Sequence, residues 1–141
     1  MNKLQQLLIT SIIALYGMGM TYDLFAASAE PNKRRGKVYF RMVCTACHKT
    51  EAGRLIPPNG RTMAHWRVYF KKNVHSPKKK FKQPARNKVS YFVSKKFRMS
   101  IKDTNKAAKR FMPLSNEQIY KDVREFVVNG AKDSDTPASC N

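Results

Sequence analysis

The sequence predicts an all-α domain over residues 30–130, with a leader at 1–29 and a mobile polar tail at 131–141. Three observations predict it. One helix face runs through Gly36, Phe40, Val43 and Cys44, and a second through Trp66, Tyr69 and Phe70. A third helix is marked at both ends, by a serine before it and a glycine after it. No βαβ pattern, internal repeat or dinucleotide-type glycine run interrupts this reading.

The elements follow in chain order. Met1-Asn2-Lys3 is a short positive start, Leu7 to Met20 is a mostly apolar run, and Ala27-Ser28-Ala29 is a small-x-small cleavage pattern. Residues 1–29 thus read as a secretory signal peptide, with the mature chain beginning near Glu30. An uncleaved anchor would need about 20 apolar residues to span a bilayer, and Asp23 ends the run before that. Residues 32–43 form the first helix. A loop follows, marked by Gly53, Pro57-Pro58 and Asn59-Gly60, and then a second helix over 62–72 with Thr62 as its N-cap. Residues 88–102 carry Tyr91, Phe92 and Phe97 without a clean period, so no element is assigned there. In the last helix, Ser115 and Gln118 make a capping box, and Leu114 and Ile119 a hydrophobic staple. Ile119, Val123, Phe126 and Val127 form its apolar face, and Gly130 stands where a left-handed C-cap belongs.

Charge is distributed unevenly. The chain carries 28 Lys or Arg against 9 Asp or Glu, a formal +19. Residues 71–110, an apparent basic insertion, hold fifteen of the cations and one acid, Asp103. In an exported protein such a field suits an anionic partner: an acidic protein, an anionic membrane surface or a polyanion. Export also places the three cysteines in an oxidising compartment. Cys140, beside the C-terminus, is either a tail thiol or a disulfide crosslink between two copies.

The other two cysteines belong to one motif, Cys44-Thr45-Ala46-Cys47-His48. C-x-x-C-H is the attachment signature of a c-type haem. Two thiols two residues apart span the two vinyl groups, and the adjacent histidine is thereby brought under the iron as proximal ligand. A thioredoxin-like dithiol would open a helix after a strand, and a zinc site would need a second ligand pair. Neither context is present.

With that motif in place, the chain resembles the class I, monohaem c-type cytochromes. Gly36 lies eight residues before Cys44 and Phe40 four before it, as in that family's N-terminal helix. The resemblance implies a cytochrome c-like fold in which the N- and C-terminal helices cross closely at the glycine, with Val123, Phe126 and Val127 as the matching face. It implies that Pro57 or Pro58 offers a backbone carbonyl to the proximal histidine. It also implies that Met112, ahead of Pro113 and the last helix, is the distal ligand. Met63 and Met99 are alternatives for that position, and His65 or His75 would give a bis-histidine haem. Trp66 either donates its indole N–H to a haem propionate or packs beside the haem. Residues 60–108 match nothing in the family's pattern.

The expected function is periplasmic electron transfer by one haem c with His48/Met112 ligation, between acidic redox partners. Both axial positions are then filled and no site is open for a substrate. Two alternatives differ in class. A haem sensor or enzyme would leave the distal face open. A polyanion-binding module would use the aromatics among the lysines (Phe81, Tyr91, Phe92, Phe97). Nucleic acid is not the expected partner.

Overall fold

A computed structural model describes residues 30–50 (without the Thr50 side chain), 55–75 and 84–139. The expectations placed on the leader, on lysines 78–80 and 82, on Phe81 and on Cys140 lie outside the described residues. The fold is all-α, with no strand among the described residues. In chain order it comprises α1 (Lys33–Tyr39), a π turn (Phe40–Cys44), α2 (Thr45–Thr50), a 3-10 turn (Pro58–Gly60), α3 (Met63–Lys72), a second 3-10 turn (Pro84–Asn87), α4 (Val89–Phe92), α5 (Lys95–Ile101), α6 (Lys106–Arg110) and α7 (Asn116–Asn129). None of these helices is long and apolar enough to cross a membrane.

Local sequence explains most of the starts. Asn32, Thr62, Ser94, Asn105 and Ser115 each accept a hydrogen bond from the backbone N–H three residues on, which satisfies one otherwise orphaned donor per helix. Only half of the capping box at α7 forms as expected. Ser115 accepts from Gln118 N, but the Gln118 amide turns away to donate to Asp122 Oδ1 (2.8 Å) and the Glu30 carbonyl (3.3 Å). Gly130 does not adopt the expected left-handed conformation; its φ is −98°. It is glycine for lack of room: a Cβ would lie 2.8 Å from Ala138 Cβ and 3.0 Å from Pro58 Cβ.

The N- and C-terminal helices α1 and α7 make the most extensive helix–helix contact. A Cβ on Gly36 would overlap the Asp122 carbonyl, and the Phe40 and Phe126 rings meet at 5.6 Å. Asp122, almost fully buried, joins the two helices. It pairs with the Arg35 guanidinium and accepts from Asn32 N at 2.8 Å. That hydrogen bond to Asp122 holds the Arg35 pKa above its ordinary value. Helix α3 packs on the other side of α7, where Tyr120 OH donates to the Phe70 carbonyl at 2.5 Å.

Residues 131–139 and Arg98 both make contacts with the body of the fold. Ala131 is fully buried, Ala138 packs against the core, Asn59 N donates to the Ala138 carbonyl (3.1 Å), and Met63 N donates to Asp133 Oδ1 (2.7 Å). Arg98, one of the fifteen cations of residues 71–110, is fully buried. Its guanidinium donates to the carbonyls of Phe111 and Leu114 and to Asn116 Oδ1, pinning the turn between α6 and α7. Burial presses its pKa below the ordinary value.

Candidate functional site

The first helix does not stop at Val43. It widens into the π turn at Phe40–Cys44 and continues as α2 through the cysteine–histidine motif. A single extra residue in a helix rotates everything after it by roughly 100°, and π turns concentrate at functional sites for that reason. Cys44, Cys47 and His48 all line one cavity of about 410 Å³. Its walls come from several elements. Trp66, Tyr69 and Phe70 of α3 form one side, Val89, Phe92, Val93 and Phe97 of the α4–α5 region another, and Val123 and Val127 of α7 a third. Phe40, Val43, Ile56, Arg61 and His75 complete it. A larger depression of about 610 Å³, bordered by Lys71, Lys88 and Lys96, is an open groove without thiol or imidazole. The chemistry belongs to the smaller cavity.

Electrostatics within the cavity favour neutral groups. Burial, followed by the neighbouring Cys47, pushes the Cys44 thiol up to about 12. A thiol held that high is almost wholly protonated at neutral pH and a poor redox nucleophile, which counts against a thioredoxin-like role. Burial, then the charges of His48 and Arg86, push His75 down to about 4, so its imidazole is neutral at pH 7. The Nδ1 atoms of His48 and His75 are both shielded from solvent. Among the described residues no group of three or more His, Cys, Asp or Glu comes together as a metal cage.

The chain matches no protein-family model, no curated protein and no solved structure. The site therefore rests on its own geometry.

Of the residues singled out from sequence, Cys44, Cys47, His48 and Trp66 come together at the cavity, while Pro57, Pro58 and Met112 are not part of its lining. Trp66 is buried, and its indole N–H donates to the Pro58 carbonyl at 2.8 Å. The Pro57 carbonyl accepts from Gly60 N at 3.0 Å. Met112 sits half-buried in the turn after α6, where its N–H donates to the Lys109 carbonyl (3.2 Å). His65 is exposed and bonded to Arg61 at 2.6 Å.

Sequence reasoning did not single out Arg61, whose guanidinium lines the cavity 6.0 Å from the Trp66 ring. It also left Phe92 and Phe97 as candidates for stacking on a nucleic acid. Both are buried cavity wall, which removes them from any such surface.

Proposed function

We propose that this chain is an exported electron carrier with one haem c attached through Cys44 and Cys47, with His48 as axial ligand, in a cytochrome c-like fold. The observation that carries this reading is the cavity itself. Its donor set includes two thiols and an imidazole on one helical segment, and apart from Arg61 and His75 the rest of its wall is apolar and aromatic. Its volume of about 410 Å³ falls within the roughly 300–1,000 Å³ usual for cofactor sites. The residues present fit the group.

Haem c supplies a one-electron iron couple. The chain's residues do the rest. Cys44 and Cys47 tether it as thioethers, and His48 presents an imidazole from the next turn of the same helix. Val89, Phe92, Val123 and Val127 keep water out, and a dry shell tunes potential as much as the ligands do. Arg61, which borders the cavity, would supply a cation for a propionate carboxylate. Met112, expected as second ligand, stands off the cavity and is not part of this proposal.

Exposed lysines adjoin the lining in sequence: Lys49 follows His48, Lys71 and Lys72 follow Phe70, Lys88 precedes Val89, and Lys95 and Lys96 precede Phe97. A basic surface of this kind would orient an acidic redox protein and speed encounter more than it adds affinity. Small, short-lived complexes suit a shuttle. Periplasmic location follows from reading residues 1–29 as a signal peptide. An anionic membrane surface is a secondary partner on the same charge.

The test is to produce the full chain in a bacterial host with a c-type maturation system and record oxidised and reduced visible spectra. A reversible change between ferric and ferrous haem spectra, one haem per chain, is expected. A colourless exported protein would overturn the proposal.

A further inference from the structure

The cavity holds a second imidazole that the attachment motif does not require. His75 lies three residues beyond α3, and its direction is set by Asn73, the C-cap of that helix, at a left-handed φ of 51°. Asn73 ties this corner to the chain at 87–90. Its Oδ1 accepts from Ser90 N (2.8 Å), its Nδ2 donates to Ser90 Oγ (2.9 Å) and its carbonyl accepts from Val89 N (3.3 Å). His75 N donates to the Asn87 carbonyl at 2.7 Å. The ring rests 4.3 Å from the Phe92 ring and 5.7 Å from the His48 ring, centre to centre.

We infer that His75 is the second axial ligand of the haem iron, opposite His48; the inference rests on the haem reading above. A metal–imidazole bond is about 2 Å long, so two imidazoles on opposite faces of one metal have ring centres roughly 6 Å apart. The rings here stand 5.7 Å apart, close to that separation. The other candidates are elsewhere. Met112 belongs to the turn that buried Arg98 clamps at Phe111 and Leu114, and reaching the cavity would break that clamp. Met99 is exposed, His65 is exposed and engaged by Arg61, and Met63 is not on the cavity wall. Two imidazoles in place of imidazole and thioether favour the ferric iron, so the carrier works at a lower potential than a His/Met cytochrome.

The experiment compares the purified holoprotein with His75→Ala, Met112→Ala and His75→Met by ferric visible and EPR spectra and by carbon monoxide binding to the ferrous form at neutral pH. Wild type and Met112→Ala are expected to be six-coordinate and low-spin, to lack the weak red band of methionine-ligated ferric haem, and to ignore carbon monoxide. His75→Ala should turn high-spin and bind the gas stoichiometrically. His75→Met should regain six-coordination, gain the red band and shift to a higher potential. A red band in wild type, or carbon monoxide binding by Met112→Ala with His75→Ala unaffected, overturns His75 as ligand. If His75→Ala fails to accumulate, the wild-type red band alone decides. Absence of covalent haem overturns the haem reading instead, so the two failures are distinct.

Discussion

Gly36→Ala puts one methyl group where α1 crosses α7. A Cβ at this position would overlap Asp122 O and crowd Val123 N. The atoms it meets are backbone on a fourteen-residue helix, so no side chain can swing aside and the helices must part. Overpacking of this kind costs about 1–3 kcal/mol, and a rigid contact belongs at the upper end. Separation also stretches the Asn32 N–Asp122 and Arg35–Asp122 bonds, where a hydrogen bond to a charged group contributes about 1.5–3 kcal/mol. Against this, alanine gains about 1 kcal/mol over glycine in helix propensity. The net loss is roughly 4 kcal/mol, a fall in Tm on the order of 16–32 °C for a domain of this size. Urea titration of the holoprotein by far-UV circular dichroism measures it, with Gly60→Ala as control. There the nearest atoms to a Cβ are Pro57 carbons at 3.8 Å, and the change should stay within about 0.5 kcal/mol. If Gly36→Ala were neutral or stabilising, as at an exposed helix site, the close crossing would be refuted.

Three further outcomes follow. Arg98→Met should destabilise the fold by roughly 2–4 kcal/mol in the same titration, because the carbonyls of Phe111 and Leu114 lose their charged donor; a loss under about 0.5 kcal/mol would show the clamp to be incidental. In chain produced without haem attachment, Cys44, pushed from 9.0 to about 12, should be alkylated by iodoacetamide at neutral pH on the order of 1,000-fold more slowly than a small free thiol. Rapid alkylation would revive the dithiol reading. The rate of electron transfer from the holoprotein to an acidic redox protein should fall steeply between low and physiological salt as the surface lysines are screened; a flat profile would give the basic surface another task.

What could be read from the sequence was what local chemistry decides. The caps at Thr62 and Ser115 declare themselves because a side-chain oxygen needs only the N–H three residues away. The grouping of Cys44, Cys47 and His48 was equally legible, since one helical segment carries all three. Gly36 was found through its distance from Cys44. The rest depends on contacts remote in sequence. His75 points into the cavity because Asn73 bonds to Ser90, seventeen residues on, and nothing near position 75 announces that exchange. Arg98 was counted with the other cations of residues 71–110 because composition cannot reveal that backbone carbonyls converge on it. The tail looked loose for a related reason: polar residues 131–139 carry no periodicity, and Ala131 and Ala138 bury themselves only against elements such as Pro58–Gly60 and Gly130. The π turn had no signal either, since its residues suit an ordinary helix.

The most direct measurement is the mass of the mature chain under denaturing acid, followed by the mass of the peptide spanning residues 42–49. One haem should remain on the polypeptide and on that peptide, and should be lost when Cys44 and Cys47 are both replaced by alanine. A chain at its bare polypeptide mass, its colour carried into the organic phase, would contradict the account.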